Sequence, residues 1–256
     1  MPLDTDLHPS LRRLDALAEH LTDDPAVIAV VGVGSAGTET ARFDDHSDLD
    51  FYVVVEDRAA KDRYVASTAW LAGLGGRVAF AFPNTHDGWK VLLEDGLFLE
   101  FATFTADELP GIPLAGERVV RGRPGFAPPP RPVPARDARD TVAHHLDEVL
   151  TNLFVGLHRE LRGERLAAHR FVQVYAVDHV LALLRLDEAT EQPFPDVFEA
   201  TRRVEQARTD RQPDWAALVR GYAGNAASAR AVLDWVERWY DPSPAMVEAI
   251  RGLLAR

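Results

Sequence analysis

The sequence predicts an α+β chain in two parts, a mixed sheet of about five strands flanked by helices and then an α-helical bundle. Three observations predict it. Short apolar, β-branched runs separated by Gly, Pro and Asn fill the first hundred residues. Eight prolines between Pro110 and Pro134 interrupt that pattern. From Asp137 onward, apolar residues recur at helical spacing almost to the end. The parts read as 1–109 for the sheet, 110–135 for a Pro-rich linker and 136–256 for a helical substrate-binding part.

In order along the chain, Leu11, Leu14, Leu17 and Leu21 share one face of a helix that Ser10 is expected to cap. Ala26 to Val33 reads as a buried strand, and Phe51 to Val55 continues a second one. Residues 57–74 read as a helix closed by Gly75-Gly76. Three more strands follow at 77–82, 89–93 and 97–104, with turns at Pro83-Asn84 and Asp95-Gly96. Beyond the prolines, which exclude helix and disfavour a sheet interior, helices are expected near 137–162, 164–186, 195–208, 213–223, 226–240 and 243–255.

Composition narrows the function. The chain is 46% hydrophobic and 27% charged, as ordinary globular proteins are, and no apolar run reaches the ~18 residues of a membrane span. The acidic opening Met1-Pro-Leu-Asp-Thr-Asp carries no signal-peptide core, so a cytoplasmic protein is expected. The absence of cysteine excludes disulfides, thiolate metal sites and cysteine nucleophiles. A net charge of −12 argues against a long nucleic acid as partner and fits a small cationic substrate. Lys61 and Lys90 are the only lysines among 28 basic residues, which reads as codon bias.

The segment from Val31 to Val55 carries most of the chemistry. It reads as a strand, a Gly34-Ser35 turn, a polar loop and a second strand that opens on Asp48 and Asp50. Two residues apart in an extended chain, these carboxylates point to the same face. Hard oxygen ligands of that kind suit Mg2+ together with substrate phosphates. The turn could bring backbone N–H groups to phosphate oxygens.

Val33-Gly34-Ser35, then twelve residues, then Asp48-Leu49-Asp50 and an apolar strand resembles the signature of the polymerase-β-type nucleotidyltransferase superfamily. The resemblance covers roughly the first half of the chain. Within that superfamily the layout is similar to the small bacterial enzymes that adenylylate aminoglycoside and lincosamide antibiotics. It implies an N-terminal nucleotidyltransferase domain and a Mg2+-dependent transfer of AMP from ATP to a hydroxyl of a small molecule, with release of pyrophosphate. Asp48 and Asp50 match its metal ligands. Glu100, a lone acid in an apolar strand with Phe98 and Ala102 on its own face, is the candidate third carboxylate, as metal ligand or general base. Gly34 and Ser35 would cradle phosphate. Arg42 is the candidate phosphate-side cation, although it comes later in the loop than the family pattern has it, and Ser47 would cap or orient the Asp pair.

In the helical half, Arg159 and the run Arg162-Gly163-Glu164 are similar to a feature of the antibiotic-modifying enzymes. Arg159 or Arg162 would neutralise triphosphate and Glu164 would hold a substrate amine or hydroxyl; a solvated, charged helix face is the plainer reading. Asp147, Glu148, His144 and His145 are weaker candidates, and Tyr175, Trp235 and Trp239 read as bundle core. His144 and His145 are expected on different sides of a helix, and no histidine spacing suggests zinc. No Walker-type loop or Gly-x-Ser-x-Gly elbow is present. Gly32, Gly34 and Gly37 lead into a polar loop rather than a helix, which excludes a dinucleotide fingerprint. Two other functions remain open on these residues: a protein-modifying nucleotidyltransferase of the antitoxin kind, and a non-catalytic nucleotide or ligand sensor. A homodimer is also left open.

Overall fold

In the computed structural model, residues 7–130, 137–196 and 198–256 are described. The chain divides into two compact units, Met1–Pro134 and Ala135–Arg256. Pro132, Pro134 and the expected boundary at 135/136 lie outside the described residues.

The first helix, α1 (Pro9–Leu21), buries Leu11, Leu14, Leu17, Ala18 and Leu21 along one stripe. Its cap is His8, two residues before the expected Ser10. Pro9 takes the first turn, where its missing N–H costs nothing, and the His8 ring accepts from the Ser10 N–H at 3.2 Å. The strands β1 (Val27–Gly32) and β2 (Leu49–Val55) pair antiparallel and are almost wholly buried. The helix α2 (Arg58–Val65) is half the expected length. Two indole N–H groups end it: Trp70 donates to Tyr64 O at 3.0 Å and Trp89 to Val65 O at 2.8 Å. These bonds satisfy carbonyls that a continued helix would have used, and Ala69–Leu74 continues as a 3-10 turn.

The strands β3 (Val78–Pro83), β4 (Gly88–Leu93) and β5 (Phe98–Thr105) follow as expected. A sixth strand, β6 (Arg118–Gly122), corrects the expected count of five. It lies within the stretch read as linker and pairs antiparallel with β1, Val119 opposite Val31 and Arg121 opposite Val30, with Val120 bulged between them. The order β3-β4-β5-β2-β1-β6 makes a mixed sheet in which β2 and β5 alone run parallel among the described pairs. One face of the sheet packs with α1 and α2 into the main core, around Leu49, Phe51, Val53, Leu99 and Phe101. The other face carries a smaller core of Val31, Tyr52, Val54, Phe104 and Leu109, which leaves the opening ends of β2 and β5 uncovered.

The second unit is a helical bundle. Its helices are α3 (Val142–Leu161), α4 (Arg165–His169), α5 (Ala176–Arg185), α6 (Trp215–Leu218), α7 (Asn225–Trp239) and α8 (Pro244–Leu254). Its core gathers Leu150, Leu153, Val172, Val180, Val232, Trp235 and Ile250. A π turn, Arg170–Tyr175, joins α4 to α5. It aims the buried Gln173 amide at Gly221 and Asn225, which it meets at 2.6–2.9 Å. The expected helix over 195–208 is irregular apart from a 3-10 turn at Val204–Gln206. The Asp196 carboxylate accepts from the N–H groups of Phe198 and Glu199, and Phe194 and Arg203 take positive φ. Side-chain bonds of that kind compete with helix. Residue 197 lies outside the described set. The helix expected over 213–223 shrinks to α6. Among the described residues, no helix is long and apolar enough to cross a membrane.

Candidate active site

As the chain leaves β1, the Val33 N–H donates to Asp50 O at 3.0 Å, which starts the Gly34–Ala36 turn beside the opening end of β2. Gly34 adopts φ +56°, and a Cβ added there would lie 3.1 Å from Asp50 Oδ2. A left-handed backbone pressed against a carboxylate is a position for glycine. Ser35 is buried at the centre of the turn.

Asp50 and Glu100 are register partners across the parallel pair β2/β5. Neighbouring strands lie about 4.8 Å apart, so the two carboxylates rise side by side from one face. Both line a cleft of about 420 Å3 with Tyr52, Asn84, Asp87 and Phe104. Asp48, exposed just before β2, opens instead into a neighbouring cavity with Asp44, Ser47, Asp95 and Phe98. Among the described residues, no three His, Asp or Glu side chains converge closely enough to hold a metal ion. Asp50 and Glu100 share a face and a cleft, whereas Asp48, just outside β2, opens elsewhere, so the three predicted carboxylates do not meet at a point.

Glu100 sits on an interior strand rather than an edge, 41% exposed, and it already has partners. Asn84 Nδ2 donates to Oε1 at 2.6 Å, and Lys90 Nζ lies 3.1 Å from Oε2. Sequence reasoning missed both partners. Lys90, one of two lysines in the chain and the only charge in the strand Gly88–Leu93, was a readable signal; Asn84 reaches the site only through the β3–β4 hairpin.

The loop residues are engaged locally. Ser47 exchanges hydrogen bonds with Asp44, at 3.0 and 3.1 Å, rather than orienting the Asp pair as expected. The His46 N–H and the Ser47 hydroxyl hold the Asp44 carboxyl below the usual range. Arg42 pairs with Glu39 at 2.5 Å. A third missed residue, Arg118 at the start of β6, donates from Nε to Ala36 O at 3.0 Å and pins the Gly34 turn from the side.

In the helical unit, the Arg162-Gly163-Glu164 motif closes α3 as a Schellman cap. Gly163 N–H bonds Glu160 O at 2.8 Å and Glu164 N–H bonds Arg159 O at 2.9 Å, with Gly163 at φ +80°. Arg159 and Glu164 are joined at 2.8 Å. The helix ending thus accounts for the glycine. His144 and His145 do not diverge as expected: both rings approach His179 of α5, at centroid distances of 6.2 and 5.2 Å. Burial pushes the His179 imidazole down, and His145 adds to the effect.

No family model matches the chain, and no curated protein matches it. Among solved structures, the chain is similar to an aminoglycoside 6-adenyltransferase from Bacillus subtilis at 12% identity. The match covers 97% of this chain and 92% of that one, with a TM-score of 0.32.

Proposed function

We propose that this chain is a Mg2+-dependent nucleotidyltransferase that moves AMP from ATP onto a hydroxyl of a small molecule. The observation that carries the reading is the pairing of Asp50 with Glu100 on adjacent parallel strands, with the Gly34 turn against the Asp50 carboxylate. Asp50, beside the turn, is the oxygen donor placed for Mg2+, which commonly binds through one or two carboxylates plus substrate phosphates, and Asp48 would have to turn from its neighbouring cavity to join it. Bound there, the ion would neutralise triphosphate charge and polarise the α-phosphate. Glu100 is the less natural ligand of the three, because Asn84 and Lys90 already engage its oxygens.

The chain's own residues then divide the work. Backbone N–H groups of the Gly34-Ser35 turn, with the Ser35 hydroxyl, receive the β- and γ-phosphates. Glu100, oriented by Asn84 and Lys90, takes the proton of the acceptor hydroxyl as its oxygen bonds the α-phosphorus. The bond from the α-phosphorus to the bridging oxygen breaks, and pyrophosphate leaves. Arg42 is the cation assigned to the triphosphate, a role for which it would exchange its present ion pair with Glu39. Net charge −12 favours a small cationic acceptor over a nucleic acid.

The test is pyrophosphate release with Mg2+ and each nucleoside triphosphate against a panel of such acceptors, with product masses read out. An acceptor gaining the mass of AMP supports the reading, and Asp48→Asn and Asp50→Asn should each lose turnover at unchanged helix content. Full activity in either variant would remove that carboxylate from the assignment.

A further inference from the structure

The face that carries Asp50 and Glu100 continues toward the β3 edge as an exposed apolar surface. Register places Phe82 opposite Lys90, Lys90 opposite Glu100, and Glu100 opposite Asp50, so these four side chains form one row across four strands. The adjacent row runs from Phe80 through Leu92 to Phe98, which shares a cavity with Asp48. The phenylalanines are not core residues: Phe80 is 55% exposed, Phe82 42% and Phe98 36%. The rings of Phe80 and Phe82 lie 5.7 Å apart. Scattered single apolar residues on a surface need no explanation, but a contiguous group beside a polar site marks a contact surface.

Strand order decides what that contact is. The Gly34-Ser35 turn follows β1, on one side of the carboxylates, and the phenylalanine surface belongs to β3, β4 and β5 on the other. If triphosphate lies on the turn, the group beyond Glu100 on the β5 side is the acceptor. We infer that the acceptor carries a flat, apolar ring next to its reacting hydroxyl, and that Phe80, Phe82, Leu92 and Phe98 form the platform for that ring. This rests on the nucleotidyl-transfer reading for the hydroxyl, whereas the ring-binding surface itself does not depend on turnover. A second copy is the weaker occupant. Edge-to-edge pairing would use the free backbone groups of β3, and these rings stand on the sheet face rather than along its edge.

The probe is a matched pair of glycosides with the same hydroxyls, one phenyl and one methyl. Binding is read by ligand-observed NMR with and without MgATP, and transfer by pyrophosphate release. The expected result is at least about tenfold tighter binding of the phenyl glycoside, the size expected for burying one aromatic ring. Phe80→Ser and Phe82→Ser should each erase that preference while MgATP binding and methyl glycoside binding stay as they were. Equal binding of the two glycosides by the wild type overturns the inference, as does a preference that survives both substitutions. Loss of dimerisation in these variants with the preference intact would assign the face to a second copy instead. Ring-selective binding without pyrophosphate release in any arm supports the platform and counts against nucleotidyl transfer, so the two readings fail separately.

Discussion

Replacing Lys61 by methionine should destabilise the first unit by about 2–3 kcal/mol. Lys61 is 3% exposed, and its ammonium lies 2.8 Å from Asp87 Oδ1 and 2.7 Å from Glu108 Oε2. Through it, α2 is tied to the β3–β4 hairpin and to the segment after β5. Removing one partner of a buried ion pair costs about 3–5 kcal/mol, because the other is left desolvated and uncompensated. Here Asp87 and Glu108 keep 30% and 34% of their side-chain surface in water, which screens part of that penalty and sets the lower figure. At roughly 2–4 °C per kcal/mol for chains of this size, thermal unfolding by circular dichroism should move down by about 5–10 °C at pH 7.

The pH dependence gives the argument a second check. Burial pushes the Glu108 carboxyl up, but the Lys61 ammonium and the Thr105 N–H outweigh it and hold it below its usual value of 4.5. A carboxyl lowered in the folded state contributes stability above that value and loses it as pH falls through the folded one. Burial likewise pushes the Lys61 ammonium down, while bonds to Asp87 and Glu108 carry it above 10.5, so its contribution persists until strongly alkaline pH. The difference between wild type and Lys61→Met should therefore be flat between about pH 6 and 9 and shrink toward pH 3. Equal melting temperatures at pH 7, or a gap undiminished at pH 3, would refute the reasoning.

Other substitutions test the turn, the helix ending and the histidine contact. Gly34→Ala forces a side chain to φ +56° against Asp50, so stability should fall by about 1–2 kcal/mol and MgATP binding, read by calorimetry, should fall more steeply than stability. Gly163→Ala should cost a similar ~1–2 kcal/mol through its left-handed backbone, with MgATP binding per folded molecule unchanged. A loss of binding there would restore a ligand role to Arg162-Gly163-Glu164. Because the folded His179 lies below 6.5, it contributes stability above that pH and loses it as pH falls through its lowered value. His179→Gln should flatten the acid side of the melting curve between about pH 6.5 and 5, and an unchanged slope would place the titration elsewhere.

The secondary structure legible in the sequence is the part that local periodicity governs. Alternation in Leu97–Thr105 put Glu100 on one face with Phe98 and Ala102, and the leucine stripe of α1 is buried as its spacing implied. Where elements are ended by distant side chains, local reading failed. The tryptophans that end α2 come from Trp70 and Trp89, and β6 exists because β1 offers it an edge. The irregular run near Asp196 had its prolines and acids in plain view, and their capping bonds outcompeted the helical pattern.

By itself, the sequence determined which residues are candidates for the site: a Gly34-Ser35 turn between two apolar strands, Asp50 at the opening of the second, and a lone Glu100 in a later one. Tertiary structure alone decided which strands are adjacent. That choice paired Glu100 with Asp50 on one flank and Lys90 on the other, and gathered three phenylalanines beside them. Strand pairing rests on backbone hydrogen bonds and burial summed across the whole sheet, and no window of neighbouring residues contains that sum.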